Sequence, residues 1–430
     1  MAAALGAALA GCAAAPPVSG PGGLQDDRPV SEDLLAHHAA GARALQAAPL
    51  VRGNDVRLLV DGPQTHRAMF DAMERARDHI NLETYILESG EVGDRLARLL
   101  EKKRKSGVKV NVLYDSVGSL GTPKEYFEGL KAAGIAVCEF NPINPARATT
   151  GWQINNRDHR KILVVDGEVA FTGGINISGA YSAGSSVRRR AHLVKPGEES
   201  ARGWRDTHVR AEGPVVTRFQ RLFLDGWALQ DCGTPAAAKY FPKLEPRGDR
   251  AARVVANDPG VDRSEMHAAL LQAIGSARRR VWLTIGYFVP DPLIVQALAD
   301  AARRGVDVRL VLPGFSDFWA PVAAAQSHYD DLLEAGVQIF EWHKALMHAK
   351  TAVIDSTWSS VGSTNLDWRS VVHNYEADLV VHDAGFAGEL EQRFELDVKD
   401  SVPIHPQQWR SRGSLQRMKE WFARQWEYLL

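Results

Sequence analysis

A spaced motif that occurs twice constrains the fold of this chain more than any other feature. The pattern His-x-Lys-x-x-x-x-Asp begins at His159 and again at His348, 189 residues further along. Each copy continues with Gly-Gly or Gly-Ser and then an asparagine, at Asn176 and Asn365. A given residue type occurs by chance at roughly one position in 20, so a double match of this length is not accidental. The chain therefore contains one unit twice.

Shorter matches precede each copy of the motif. The three matched pairs of segments are 80–84 with 281–285, 107–113 with 305–311, and 133–140 with 335–342. Each segment follows a predicted helix, and the second and third pairs have a glycine at the helix end and then a β-branched strand. This alternation is typical of α/β units. We predict an α/β fold with two tandem α/β/α repeats, whose mixed, largely parallel sheets are related by a pseudo-twofold axis.

The 430 residues divide into a leader, two repeats, a connection and a C-terminal segment. Hydrophobic residues make up 45% and charged residues 24%, which excludes disordered, fibrous and multi-spanning membrane proteins. A formal net charge of −1 gives no support to nucleic-acid binding. The predicted parts are a leader and tether (1–30), the first repeat (45–232), an Ala/Pro/Gly-rich linker (233–260), the second repeat (261–400) and an amphipathic segment (401–430).

Two interpretations of the leader remain open. Residues 2–15 have the length of a signal-peptide core, and the letters LAGC at 9–12 match the site where bacterial lipoproteins are cleaved and acylated. Cys12 is therefore a candidate lipidation site. However, no Lys or Arg precedes Arg28, so the basic region of a signal peptide is missing. This absence instead fits a disordered leader or a true start further upstream.

The C-terminal segment also has two interpretations. From Ser414 onward, apolar residues follow the helical i, i+3, i+4 spacing, at Leu415, Met418, Phe422, Trp426 and Leu429. Such a helix either lies in the headgroup layer of a membrane or packs on its own domain.

The chemistry of the motif follows from its place on strands. Residues 162–165 and 352–354 are apolar on both faces, which predicts buried central strands. Because residues i and i+2 of a strand point the same way, the His and Lys of each motif project together. Two repeats packed about a twofold axis would bring together His159, Lys161, His348 and Lys350.

That set of side chains suits a phosphodiester. The ammonium groups match the charge of the phosphate oxygens, one neutral imidazole can attack phosphorus, and a second, protonated one can protonate the leaving oxygen. A lysine two residues from each histidine repels a metal ion, so we expect no metal and no cofactor.

Both copies resemble the signature of the phospholipase D superfamily, over residues 51–394. The segments Gly173–Ser178, Gly362–Asp367 and Tyr287–Pro290 are similar to bacterial cardiolipin synthases, nearest to the B type, which lacks N-terminal transmembrane helices. A lipobox is not ordinarily found in that type.

The resemblance implies a ping-pong transfer of a phosphatidyl group through a phosphohistidine. His159 would be the nucleophile and His348 the general acid and then base. Phosphate would be held by Lys161, Lys350, Asn176 and Asn365, and the histidines would be oriented by Asp206 and Glu376. Asp166 and Asp355 belong to the motif, but their place at a strand end favours a structural role in a turn.

The expected activity is cardiolipin synthesis from phosphatidylglycerol and a second phospholipid, at a bacterial membrane. The enzyme would be anchored through Cys12 or peripheral on the inner membrane. The alternatives are a phospholipase D-type phosphodiesterase, which would hydrolyse lipid or nucleic acid, and a non-catalytic lipid-binding relative. We expect anionic phospholipid and a membrane surface as partners, and no nucleic acid.

Two further groups of residues have no assigned role. The basic segments 157–161 and 188–190 either attract anionic headgroups or form solvated loops. Three cysteines are too few for a disulfide scaffold, and the spacing of Cys138 and Cys232 gives no support to a bond between them.

Overall fold

The computed structural model describes residues 37–38, 49–147, 152–185, 203–259, 264–316 and 318–429. The predicted leader with Cys12 and the basic run 188–190 lie outside these residues.

Helices separate the first four described strands of each half, whereas the strands on either side of the turn in each motif follow one another directly. The strands of the first half are β1 (Val51–Val60), β2 (His79–Thr84), β3 (Lys109–Asp115), β4 (Ala136–Phe140), β5 (Arg157–Asp158), β6 (Ile162–Val165), β7 (Val169–Gly173), β8 (Trp204–Arg205) and β9 (Thr207–Glu212). Those of the second half are β10 (Arg250–Asn257), β11 (Arg280–Ile285), β12 (Asp307–Pro313), β13 (Gln338–Trp342), β14 (Leu346–Met347), β15 (Lys350–Ile354), β16 (Trp358–Gly362), β17 (Asn374–His382) and β18 (Val402–Pro403).

The helices flank these strands. They are α1 (Asp61–Arg75), α2 (Glu91–Lys105), α3 (Lys124–Ala132), α4 (Val216–Leu229), α5 (Glu265–Ser276), α6 (Pro292–Arg303), α7 (Trp319–Gln326), α8 (Tyr329–Glu334), α9 (Trp368–Val372), α10 (Ala384–Lys399), α11 (Pro406–Arg410) and α12 (Ser414–Gln425). Short 3₁₀ turns lie at Pro145–Arg147, Gly179–Tyr181 and Glu427–Leu429.

One continuous sheet joins the two halves. Its order is β18-β13-β12-β11-β15-β16-β17-β10-β1-β9-β7-β6-β2-β3-β4, with β5 added beside β17. Outward from the centre, where β1 pairs antiparallel with β10, the two sides have matching orders, and β18 is an additional edge strand on the side of the second repeat. The predicted α/β class, mixed sheet and two-repeat organisation are confirmed.

The share of parallel strands is smaller than predicted, and there is one sheet instead of two. Parallel pairs are confined in the main sheet to β2-β3-β4, β11-β12-β13 and the β5·β17 pair. The remaining pairs, including β6·β7 and β15·β16, are antiparallel. Parallel strands need a crossover helix, whereas the short turns after each motif allow only antiparallel hairpins.

The predicted linker is wrong in its second half. Residues 250–257 form β10, which pairs with β1 on one side and β17 on the other. This strand is the counterpart of β1 in the second repeat and lies at the centre of the sheet. Its small residues, such as Ala251 and Ala252, gave little hydrophobic signal, although both are buried.

The motif strands lie in a core that both repeats share. One cluster of buried apolar residues contains Ile162 on β6, Val353 on β15, Phe219 on α4 and Phe394 on α10. Two further clusters each belong mainly to one repeat. A common core fixes the two motif strands relative to each other.

Helix α12 is amphipathic as predicted, but its apolar side faces outward. Its buried residues are Glu420 and Ala423, whereas Leu415, Met418 and Phe422 are at least half exposed. Among the described residues, no helix combines the length and apolar character needed to cross a bilayer.

Cys138 and Cys232 form a disulfide, which the sequence analysis did not expect. The bond joins β4 to the residues after α4, with the two Cα atoms 5.7 Å apart across 94 residues of chain. The two cysteines lie against a small cluster of buried residues that includes Phe140 and Trp227. Spacing along the chain carries no information on such a long-range pairing.

Removing this disulfide is expected to lower the free energy of unfolding by about 2–4 kcal/mol, because the bond closes a long loop in the unfolded chain. The measurement is denaturant unfolding of the oxidised protein and of the Cys138→Ser/Cys232→Ser variant. Any activity at low temperature should be unchanged, since neither cysteine lines the cavity at the two motif histidines. Equal stabilities would contradict the prediction.

Candidate active site

Each repeat supplies one His-Lys pair at the start of a buried strand. Lys161 immediately precedes β6, and Lys350 begins β15. Strand β6 lies between β2 and β7, and β15 lies between β11 and β16. All positions of both strands are buried, as their apolar sequences predict.

The two repeats exchange short strands at this point. Strand β5 pairs in parallel with β17, and the backbone N–H of His159 donates to the carbonyl of Tyr375 at 3.0 Å. Strand β14 pairs in the same way with β8, and the backbone N–H of His348 donates to the carbonyl of Arg205 at 2.8 Å. Each catalytic candidate is thus held by the opposite repeat.

His159 and His348 line one shared cavity of ≈ 390 Å³. Asn176 and Asn365 also contribute to its wall. The structure therefore brings the two motif histidines to one cavity, whereas Lys161 and Lys350 are not among the residues that line it.

A buried carboxylate contacts the Nδ1 atom of each histidine. Glu376 lies with both carboxylate oxygens 3.0 Å from Nδ1 of His159. Asp206 has Oδ2 2.7 Å from Nδ1 of His348. Asp206, which follows the first motif, thus contacts the histidine of the second motif. Glu376, which follows the second motif, contacts the histidine of the first. A proton on Nδ1 leaves Nε2 free to react.

The surroundings of the two carboxylates differ. The hydroxyls of Ser363 and Ser370 donate to Glu376 at 2.6 and 2.7 Å. Burial acts to raise the pKa of Glu376, but the charge and hydrogen bond of His159 bring that pKa below its usual value. Burial raises the pKa of Asp206 to about 6, although Lys350 opposes the shift. The two histidine–carboxylate pairs are therefore electrostatically unequal.

The two lysines lie directly behind the histidines. Each ammonium group donates to the backbone carbonyl of its own motif histidine, Lys161 to His159 and Lys350 to His348. Burial lowers the pKa of Lys161 to about 7 and that of Lys350 to about 8. Burial also lowers the pKa of His159. An anion in the cavity would favour the charged form of both lysines.

The two motif asparagines have different contacts. Asn176 accepts from the backbone N–H of Ile86 at 3.0 Å and donates to the hydroxyl of Tyr181 at 3.0 Å. Its side chain therefore holds a loop in place. The side-chain oxygen of Asn365 is buried and has no hydrogen-bond partner among the described residues.

The motif aspartates lie away from the cavity, at the far ends of the strands. Asp166 accepts from the backbone N–H groups of Arg77, Asp78 and His79, at 2.8 to 2.9 Å. Asp355 accepts in the same way from the backbone of residues 278–280. Neither lines the cavity. These contacts give both aspartates the structural role that their position favoured, and the catalytic alternative loses its geometric basis.

The small residues after each motif make room for the carboxylates. A Cβ atom at Gly174 would lie 2.2 Å from Oδ1 of Asp206, and the serine at the equivalent position, Ser363, instead donates to Glu376. Glycine is thus required where the carboxylate of Asp206 passes the backbone.

The sequence analysis did not identify the aromatic residues that surround the two histidines. The ring of Tyr85 lies 5.1 Å from that of His159, and the rings of Trp204 and Tyr287 lie 4.8 and 6.0 Å from that of His348. Tyr85 directly follows β2, and Tyr287 follows β11 after one residue. Their position at the carboxyl ends of predicted strands was the available signal.

The basic segment 157–161 divides between two roles. Arg157 lines the cavity, whereas Arg160 points away from it and pairs with Asp258, with Glu83 3.9 Å away. Arg369, on α9, adds a second guanidinium to the cavity wall. The segment is therefore buried rather than a solvated loop.

A duplicated sheet with two carboxylate-bound histidines facing one cavity defines an enzyme of the phospholipase D class. A family model described as "Cardiolipin synthase, PLD-like domain" matches residues 69–184 and 270–398. The chain belongs to this family of phospholipase D-like phosphatidyltransferases.

Individual relatives agree with this assignment. The chain is 35% identical over 400 residues to cardiolipin synthase A of Pseudomonas aeruginosa, covering 91% of this chain and 78% of the relative. It is 33% identical over 387 residues to cardiolipin synthase 1 of Bacillus cereus, covering 87% and 72%. The crystal structure of phosphatidylserine synthase from Haemophilus influenzae matches in fold, with a TM-score of 0.63, 13% identity and coverage of 91% of this chain and all of that one. Membership of the B type stays a prediction.

Proposed function

We propose that this enzyme makes cardiolipin by transferring the phosphatidyl group of phosphatidylglycerol to the hydroxyl of a second phospholipid. The observation that carries the proposal is the pair of cross-repeat contacts, Glu376 to His159 and Asp206 to His348, at one cavity. Two imidazoles with defined tautomers allow nucleophilic attack and proton transfer by separate groups.

In the first step, Nε2 of His159 attacks the phosphorus of the donor lipid. The bond from phosphorus to the glycerol headgroup oxygen breaks, and His348 gives that oxygen a proton. The imidazole of His159 then carries the phosphatidyl group and a positive charge, which the carboxylate of Glu376 stabilises at Nδ1. The lowered pKa of Glu376 supports a charged carboxylate at this position.

In the second step, the acceptor hydroxyl gives its proton to His348 and attacks the same phosphorus. The N–P bond breaks, and His159 returns to its neutral form. Lys161, Lys350 and Asn365 are proposed to hold the phosphate. The lysines would act by charge, and the asparagine would donate its side-chain amide N–H. The side chain of Asn176 supports the loop that carries Tyr181.

A product assay tests this function directly. Purified enzyme is given phosphatidylglycerol, with and without phosphatidylethanolamine or glycerol, and the products are identified by mass spectrometry. Cardiolipin is the expected product, and its yield should not change when EDTA is present. Phosphatidic acid as the sole product would assign a phospholipase D-type hydrolase, and turnover that stops with EDTA would contradict the metal-free mechanism.

The pH profile provides an independent prediction. We expect kcat/KM to fall as the pH rises through about 7 to 8, because Lys161 and Lys350 of the free enzyme lose their protons there. On the acid side, burial lowers the pKa of His159, so activity should be lost only below the usual histidine pKa of about 6.5.

The Lys161→Arg variant checks the alkaline limb, since arginine keeps its charge over this range. Its kcat/KM should be lower overall but should fall at a higher pH than in the parent enzyme. An identical alkaline limb in both proteins would assign that limb to another group.

The cellular site is proposed to be the outer side of the inner membrane, with attachment through Cys12. The Cys138–Cys232 disulfide supports an oxidising compartment. The lipobox-like letters at 9–12 support export followed by acylation. Metabolic labelling with a fatty acid should mark the parent protein and leave the Cys12→Ser variant unlabelled.

A further inference from the structure

An aromatic surface lies beside the mouth of the catalytic cavity. Its members are large apolar side chains that are each about half exposed or more: Phe318, Trp319, Trp421, Phe422, Trp426 and Tyr428, here called the aromatic face. Soluble proteins rarely expose so many large apolar side chains together unless the surface binds something.

The aromatic face is continuous with the catalytic cavity on two sides. Phe318 itself lines the cavity, and Trp319 lines a groove of ≈ 260 Å³ between α7 and α12. On the other side, the ring of Tyr428 lies 5.2 Å from that of Trp368, which is next to the cavity residues Asp367 and Arg369. The aromatic face therefore borders the cavity at Phe318 and approaches it again at Tyr428.

Helix α12 has the side-chain distribution of a helix lying in a lipid headgroup layer. At about 100° per residue, the exposed apolar residues from Leu415 to Trp426 cover roughly 140° of its circumference. The buried residues Ala423 and Glu420 face α7, and Glu420 also pairs with Arg412, which lies just before α12. Lys419 and the pair Arg417 and Arg424 fall on the two edges of the apolar arc.

The charge around the helix favours an anionic partner. Residues 405–430 contain five Lys or Arg and two Glu. Both glutamates are already engaged, Glu420 with Arg412 and Glu427 with His328 at 3.0 Å. The remaining positive charge is attracted to anionic lipids.

We propose that the aromatic face inserts into the headgroup layer of an anionic phospholipid bilayer and holds the cavity mouth against it. The inference rests on the proposed lipid substrate, because a cavity that takes its donor and acceptor from a bilayer needs its mouth at that bilayer. Aromatic side chains suit this depth, since their rings are apolar and their polar edges reach water.

The test uses the full chain with Cys12→Ser, so that no covalent anchor contributes to binding. A second protein adds Trp421→Ser and Trp426→Ser, and a matched control adds Leu396→Ser on α10, which is also about half exposed but lies outside the aromatic face. Flotation measures binding to vesicles of phosphatidylglycerol and phosphatidylcholine. Activity is measured on the same vesicles and on short-chain phosphatidylglycerol in detergent.

The double Trp variant should bind anionic vesicles at least about tenfold more weakly, because it lacks two aromatic rings that would insert into the headgroup layer. Its activity on vesicle lipid should fall in proportion. Its kcat on the short-chain lipid and the behaviour of the control should be unchanged. The parent protein with Cys12→Ser should also bind pure phosphatidylcholine vesicles more weakly than anionic vesicles.

If the double Trp variant binds vesicles as tightly as the parent, the inference is overturned. It is also overturned if the variant loses activity equally on vesicles and on the short-chain lipid, because that result indicates a structural role for the two tryptophans. A change in self-association without a change in vesicle binding would assign the face to a protein interface and would also overturn it. If the parent binds anionic vesicles through this face but forms no cardiolipin from either substrate, the proposed function fails and the docking surface stands.

Discussion

Replacing His159 with Ala is expected to lower kcat by about 10⁴-fold or more, because the variant has no nitrogen that can form the bond to phosphorus. The fold should persist, since the ring contacts one carboxylate and lines an open cavity. Circular dichroism and thermal unfolding provide the control for folding. The measurement is the rate of cardiolipin formation under saturating phosphatidylglycerol.

The same experiment distinguishes the two histidines. Parent enzyme quenched during turnover should carry an acid-labile phosphatidyl adduct on the peptide that contains His159. His348→Ala should also be slow, but through loss of proton transfer, so it should still form the adduct when the leaving group needs no proton. An adduct mapped to His348 would reverse the two roles.

The second large effect is expected for Glu376→Gln, with a loss of about 10³- to 10⁴-fold in kcat. Glutamine keeps the shape of the side chain but cannot balance the positive charge that His159 acquires. Its amide group also no longer selects the tautomer with the proton on Nδ1. Ser363 and Ser370 donate to different oxygens of Glu376, so in the glutamine variant one serine can still donate to the side-chain oxygen while the other accepts from the amide N–H, and the backbone should stay in place.

Asp206→Asn is the matched variant, because Asp206 makes the equivalent contact with His348. With a phosphatidyl ester of p-nitrophenol, whose leaving group needs no proton, Asp206→Asn should retain a fast first release of nitrophenol. Glu376→Gln should lose that first release. An equal response of both variants would contradict the separation of nucleophile and proton donor.

Much of the fold was predictable because the duplication supplied two independent views of it. The strand segments 80–84 and 281–285 became β2 and β11, and the apolar runs 162–165 and 352–354 lie on the buried strands β6 and β15. Strand β10 was missed because its alanines carry little hydrophobic contrast. The antiparallel share of the sheet was underestimated because helix-strand alternation is visible in sequence, whereas the antiparallel pairing of each motif strand with both of its neighbours is not.

The candidate site was only partly predictable. Asp206 and Glu376 could be selected because they stand in equivalent positions of the two repeats, but their exchange between repeats depends on the short strands β5 and β8. The aromatic residues Tyr85 and Trp204 belong to no repeated pattern. Tyr85 could be noticed only through its place at the carboxyl end of a predicted strand, and Trp204 only through its proximity to His348 in the structure.

The sequence by itself determined that two equivalent units exist, that each contributes one His-Lys pair on a buried strand, and that the pairs suit a phosphodiester. These conclusions depend on residue types and on periodicity, both of which are local properties of the chain. The tertiary structure decided which carboxylate serves which histidine, that Asp166 and Asp355 bind backbone N–H groups, that Cys138 meets Cys232, and that the apolar side of α12 faces outward. Those features join residues far apart in the chain, and only packing of the two repeats around one core brings such residues into contact.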